Sequence, residues 1–227
     1  MTSVVKSPYT NEQIAAWLRG LLTIAWADGN FDAQEQELIT ALTNDESDSN
    51  FNLVSLEPIT PEELAQVLGQ DTGAAENFLR TAVMVAIADG TYSVSENQLL
   101  QQFCQALGQP IEMLSALCHT LYDKDASEES VSIPVAPPTQ SELDMLHPVR
   151  DWLDGLEIQD PKLARVLCKM IPPQCPFERD VKLFGHKLVH IPPLCKLNPL
   201  YDQLVGLRFR SLSYLADNCK EDISAYC

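Results

Sequence analysis

Ile24-Ala25-Trp26-Ala27-Asp28-Gly29-Asn30-Phe31-Asp32-Ala33-Gln34-Glu35 returns without a gap as Val85-Ala86-Ile87-Ala88-Asp89-Gly90-Thr91-Tyr92-Ser93-Val94-Ser95-Glu96. Each copy reads as a helix that stops at Asp-Gly and a short turn carrying one aromatic. A new helix follows, capped by Asp32 or Ser93 with Glu35 or Glu96 three residues later. Both copies continue into apolar pairs, Leu38-Ile39 and Leu99-Leu100. The duplicated unit is helical, and the sequence around it agrees.

Upstream, Thr10 and Gln13 form a potential capping box, and Ile14, Trp17, Leu18, Leu21, Leu22 and Ala25 recur at helical spacing. Thr60-Pro61-Glu62-Glu63 predicts another start, with proline at the first helical position and a glutamate reaching back to the cap. Asp160-Pro161 and Asn198-Pro199 repeat the cap-then-proline arrangement, and Phe177 to His190 reads as a further helix. Alternating Val, Ile and Thr with hairpin turns is not evident. The expected fold is all-α.

Residues 123–140 are acidic and then proline-rich, with Pro134, Pro137 and Pro138 among Ser and Thr. Such a stretch buries too little apolar surface to offset the entropy of ordering, so it reads as a flexible linker. Two helical domains follow, at 1–122 and 141–227. The charge divides the same way: residues 1–140 hold 4 basic and 20 acidic side chains, and residues 141–227 hold 11 and 12. The polar run Asn44 to Asn50 reads as a loop inside the first domain.

A net charge of -17 excludes a nucleic-acid partner, because phosphate contacts need clustered Lys and Arg. Met1 to Thr10 lacks the pattern of a secretory signal, and no apolar run is long enough for a transmembrane segment. A soluble, cytoplasmic protein is expected. Seven cysteines, an odd number in that compartment, argue for thiols or metal ligands over paired disulfides. With only 9 glycines there is no phosphate-cradling loop, and neither a Gly-x-Ser-x-Gly elbow nor a nameable Cys/His nucleophile pair is present. The expectation is not an enzyme.

The paired Ala-Asp-Gly, aromatic, Glu pattern resembles the TerB-like family associated with tellurite resistance, over roughly residues 8–122. The resemblance implies an all-helical domain with an acidic surface that binds a divalent cation, and a stress-response role near the membrane, compatible with peripheral association. Its candidate cation ligands are Asp28 and Glu35 in one copy and Asp89 and Glu96 in the other. Hard cations take several carboxylate oxygens, which four such residues at pseudo-symmetric helix ends can supply. Helix capping accounts for the same glutamates without a metal. The change from Asp32 to Ser93 between the copies favours capping.

The second domain holds Cys168, Cys175, Cys195, Cys219 and Cys227, with His186 and His190 four residues apart. On a helix that spacing puts both imidazoles on one face, as paired metal ligands require. Two pentapeptides, Ile171-Pro172-Pro173-Gln174-Cys175 and Ile191-Pro192-Pro193-Leu194-Cys195, read as elbows in which proline ends a helix and a cysteine sits at the bend. On that reading Cys175 and Cys195 bracket one helix. Cys175-Pro176 has the form of a cluster cysteine followed by proline, yet no Cys-x-x-Cys is present. Three roles stay open: ligation of zinc or an iron–sulfur cluster, a reversible thiol switch, and packing. Cys219 and Cys227 suit a switch if Lys220, or Lys196 beside Cys195, lowers a thiol pKa. Cys104 and Cys118 read as buried apolar filler.

Residues 147–227 resemble a small family, found mostly in cyanobacteria, known as the Mo-dependent nitrogenase C-terminal domain. The resemblance rests on Cys175-Pro176-Phe177-Glu178-Arg179-Asp180, on the run His190 to Tyr201, and on Leu207-Arg208-Phe209-Arg210. It implies an accessory protein rather than a nitrogenase catalytic subunit. Arg179, Lys182, Lys187, Arg208 and Arg210 read as a solvated face, or as a dock for an acidic partner or for the chain's own acidic first domain. Two functions emerge: a non-catalytic interaction protein responsive to metal or redox state, or a small metalloprotein or iron–sulfur electron carrier.

Overall fold

The computed structural model describes residues 7–27, 57–87, 92–111, 114, 117, 146–171, 179–183, 186–191 and 199–226, with backbone alone at 170, 179–183 and 186–191. The linker at 123–140 and both domain boundaries beside it lie outside the described residues, as do Cys118 and the loop at 44–50.

The architecture is helical. In chain order the helices are α1 (Asn11–Ala25), α2 (Pro61–Leu68), α3 (Thr72–Ala86), α4 (Val94–Ala106), α5 (His147–Asp154), α6 (Pro161–Met170) and α7 (Tyr201–Ser213). One hairpin, β1 (Arg179–Leu183) and β2 (His186–Ile191), lies between α6 and α7 in the chain.

The duplication is visible in the helix ends. α1 and α3 are both 15 residues long and stop at Ala25 and Ala86, with Trp26 and Ile87, equivalent in the repeat, as C-caps. The capping boxes form where the sequence places them. Gln13 N donates to Thr10 Oγ1 at 3.1 Å and Thr10 N to Gln13 Oε1 at 2.9 Å. Ser93 and Glu96 do the same at the start of α4. Each pair satisfies two amides that the first turn leaves without a helical acceptor.

At α2 the box is incomplete. Thr60 Oγ1 accepts from Glu63 N at 3.2 Å, but the Glu63 carboxylate turns instead to Arg19, 3.4 Å away. Arg19 also donates to the carbonyls of Glu57 and Pro58, so an ion pair with the preceding segment wins over the cap. Asp160 caps α6 as expected, its Oδ1 accepting from the amides of Lys162 and Leu163. α7, however, starts at Tyr201 with Leu200 as N-cap and no side-chain cap, two residues beyond the start expected from Asn198-Pro199.

α1 packs on α2, α3 and α4, and α3 on α4. An aromatic ladder runs through this bundle: Tyr9 on Trp17 at 5.2 Å, Trp17 edge-on to Phe78 at 6.0 Å, and Phe78 edge-on to Phe103 at 5.5 Å. These are the offset and T-shaped arrangements that the ring quadrupole favours. Gly20 makes the ladder possible, since a Cβ there would lie 2.6 Å from Phe78 Cε2.

The C-terminal helices continue the same core. Leu146, Val149, Leu153, Leu163, Val166, Leu167, Leu204 and Leu207 belong to one buried cluster with Trp17, Phe78 and Phe103. α5 packs on α3, α6 on α1, and α7 on both α5 and α6.

The helix expected from Phe177 to His190 is replaced by the antiparallel hairpin, paired from Arg179↔Ile191 to Leu183↔His186 with a bulge beyond Val181. β-branched Val181, Val189 and Ile191 favour the pleated form. Only Phe184 and Gly185 separate the strands, the spacing that hairpins use. Of the two proline elbows, the first follows a helix, since α6 ends at Met170. The second follows strand β2, so Cys175 and Cys195 do not bracket a helix.

Candidate functional site

The segment with the most chemistry is the C-terminal one, and its local structure follows from its short helices. α5 has 8 residues and α6 has 10. Any α-helix leaves its last four carbonyls without intrahelical donors, which is half of all the carbonyls in α5. Some are met locally, Trp152 O and Leu153 O by the amides of Gly155 and Leu156, and others by donors from elsewhere in the chain.

Arginines supply them. Arg208, only 7% exposed, sits on the buried stripe of α7 with Leu204, Leu207, Ser211 and Leu215. Its Nη1 donates to the carbonyls of Cys168 and of Ile171, the latter at 2.8 Å, at the C-terminal end of α6. Its Nη2 donates to the Tyr226 carbonyl. Arg210 donates to Asp154 O at 2.9 Å and Leu156 O at 3.0 Å, closing the end of α5, and burial holds its pKa below the ordinary arginine value. Arg80 of α3 reaches the same helix end, Nε to Trp152 O at 2.8 Å, with its guanidinium 5.6 Å from the Trp152 ring centroid. The negative ends of two helix dipoles thus face cations. The solvated basic face expected of Arg208 and Arg210 is corrected: both turn inward.

Between them, Phe209 turns outward and is 69% exposed, with Val205 one turn earlier at 45%.

Beyond α7 the chain widens into a π turn, Tyr214–Asn218, and reverses through Lys220 at φ 57. Arg165 of α6 fixes the reversal. Its Nε and Nη2 contact both Glu221 carboxylate oxygens at 2.8–3.1 Å, and Tyr226 Oη donates to Glu221 Oε1 at 3.3 Å.

Cys219 lies half-buried inside this corner, against the small cluster of Ala164, Cys168 and Leu215. Burial first, and then the Glu221 carboxylate, push its thiol pKa up, outweighing Arg165 and a hydrogen bond with Tyr214. The lowered pKa expected from Lys220 is therefore absent: the Cys219 thiolate is disfavoured. Burial likewise raises Tyr214 to about 12, and its hydroxyl donates to Gln159 O at 2.9 Å.

Cys168 is buried on α6, its backbone carbonyl held by Arg208. Cys175, Cys195 and Cys227 lie outside the described residues. His186 and His190 fall on β2, where four residues span about 13 Å instead of one helical turn. The paired-ligand geometry expected of a helix is lost. Of the carboxylates read as cation ligands, Asp28, Glu35 and Asp89 lie outside the described residues. Glu96 Oε2 accepts from Ser93 N at 2.8 Å as a capping residue. Among the described residues no three His, Cys, Asp or Glu side chains converge as a metal site would require. Nor is any helix among them long and apolar enough to cross a membrane.

The arginines were the residues that sequence reasoning missed. A signal existed for Arg208: Leu200, Leu204, Leu207, Ser211 and Leu215 share its helical face, so an apolar stripe passes through a charged position. A search of curated proteins and one of solved structures each gave no significant match. Residues 145–227, the segment built from these capped helices, match the family described as Mo-dependent nitrogenase C-terminus.

Proposed function

We propose that the chain is a non-catalytic accessory protein that engages a protein partner through the outer face of α7. The observation that carries this reading is Phe209. A large aromatic exposed on a helix whose neighbouring arginines are fixed onto helix-end carbonyls presents an apolar ring on a rigid backbone, the kind of side chain that anchors interfaces. The acidic first 140 residues add a long-range field that favours a basic partner.

Phe209→Ser tests it. A partner retained in stoichiometric amount by the immobilised full chain is lost with Phe209→Ser, while the thermal midpoint stays unchanged. Equal retention by both proteins overturns the reading.

Responsiveness to redox state and metal belongs to the same proposal. Cys219 and Cys227 are the thiols assigned to the redox response, with Cys227 as the reacting thiolate because burial keeps the Cys219 thiol protonated, and Asp28, Glu35, Asp89 and Glu96 the carboxylates of a TerB-like first segment assigned to a divalent cation. Gel mobility after oxidation of Cys219→Ser, and calcium titration of Asp28→Asn/Asp89→Asn, address the two parts separately. Stoichiometric iron or zinc with a broad visible band in anaerobically purified protein would instead favour a metalloprotein or iron–sulfur electron carrier.

A further inference from the structure

The seam where α5 meets α3 and α4 contains a cavity of about 120 Å³. Its floor is apolar and fully buried: Leu79 and Val83 from α3, Cys104 from α4, and Leu114. Its rim carries Glu76, Gln109, Pro110 and Trp152. Close-packed interiors hold few voids larger than a water molecule. Water needs two to four polar partners, and the floor offers it a single thiol; the polar groups, Glu76 and Gln109, stand at the rim. Apolar cavities of about 150 Å³ lined by Leu, Ile and Phe stay dry and take up benzene.

The rim decides the charge of the occupant. Glu76 Oε1 is paired with Arg80 Nη2 at 2.7 Å, and that guanidinium also lies against Trp152. The carboxylate is already neutralised, so the mouth favours neither a cation nor an anion. We propose that this cavity is a binding site for an uncharged, apolar molecule of about benzene size. The occupant touches α3 and α4 on one side and Trp152 of α5 on the other. Binding therefore stabilises the seating of the C-terminal helices on the first bundle. This site is independent of the α7 surface.

Toluene is the probe, and the full-length chain is titrated while its thermal midpoint and tryptophan emission are followed. At ten times the dissociation constant, the midpoint rises by about 3–5 °C, and it climbs logarithmically with concentration beyond that. Emission changes over the same concentration range. Cys104→Leu fills the floor and loses the midpoint shift; Val83→Leu does so should Cys104→Leu fail to fold. Trp152→Phe keeps the midpoint shift but loses the change in emission. No midpoint rise in the unaltered chain, or an undiminished rise in the filled variants, overturns the proposal.

Discussion

The first bundle and the C-terminal helices share one core but close it by opposite means. Around α1, α3 and α4 the helix ends are finished locally, by Thr10 with Gln13, by Ser93 with Glu96, and by Gly108. The interior there is largely apolar, with Asn77, Thr81 and Asn97 buried among it, and four aromatic rings run through it. Around α5 and α6 local bonds, Asp160 at the start of α6 and the Gly155 and Leu156 amides at the end of α5, are joined by Arg80, Arg208 and Arg210, which reach across the fold to carbonyls at the C-terminal ends. The difference teaches that an arginine in this protein is a long-range cap. Its loss leaves buried acceptors unsatisfied rather than a surface charge missing.

Removing one keystone from each region gives the largest contrast. Phe78→Ala takes away the ring that touches both Trp17 and Phe103 and is fully buried. It should cost about 4 kcal/mol in urea unfolding through lost transfer energy and a cavity. Arg208→Ala should cost about 3 kcal/mol, because three carbonyls lose a charged donor. The two differ in kind. Arg208→Lys should recover little, since an ammonium cannot reproduce the guanidinium fork. Hydrogen exchange should rise first at 219–226 in Arg208→Ala, and throughout the core in Phe78→Ala. Equal behaviour of the lysine and arginine proteins would break the comparison.

Alkaline pH separates the regions next. The Cys104 thiol sits at about 11 in the folded chain, up from an ordinary 9.0, because burial disfavours the thiolate. Below pH 9 it is protonated in both states and its contribution is fully present. Between pH 9 and 11 the unfolded chain loses the proton and the folded chain keeps it, so stability falls as pH rises, by about 2–3 kcal/mol in all. Tyr214 and Tyr226, both raised to about 12, extend the decline above pH 10 from the C-terminal side. Urea midpoints of Cys104→Ala across pH 8–11 should show a shallower slope from pH 9 to 10. An unchanged slope would remove Cys104 as its source.

Much of this contrast was legible beforehand in one region and little in the other, for a physical reason. Capping boxes are local in sequence, so Thr10 with Gln13 and Ser93 with Glu96 could be read directly; the helices end at Ala25 and Ala86, ahead of the Asp-Gly pairs, which lie outside the described residues. Arg208 meets its acceptors 37 and 40 residues earlier in the chain, and nothing adjacent announces them. The hairpin fell between two periodicities. His186 and His190 at a spacing of four suggested a helix, whereas the Phe184-Gly185 separation of β-branched runs was the better guide. Among the described residues the candidate metal ligands do not converge; convergence depends on long-range folding, which spacing alone does not encode.

The smallest effect tests the comparison at a matched pair of helix stops. α4 ends with Gly108 at φ 65, and Gln109 N donates to Cys104 O at 2.9 Å, closing a Schellman turn. The π turn after α7 ends with Lys220 at φ 57, and Glu221 N donates to Leu215 O at 3.0 Å, one residue further back because the turn is wider. A side chain in the left-handed region is strained by about 1 kcal/mol, whereas glycine is not. Lys220 is nevertheless held there by the Arg165–Glu221 fork one residue on. Lys220→Gly should therefore stabilise by about 0.5 kcal/mol, with part of the relief offset by the greater freedom of glycine in the unfolded chain. Gly108→Ala should destabilise by about 1 kcal/mol, since nothing within 4 Å of its Cβ compensates the strain. Opposite signs in paired urea titrations would show that the first bundle stops its helix by backbone choice and the C-terminal corner by a distant ion pair. If Lys220→Gly destabilises, the fork is not what holds the turn.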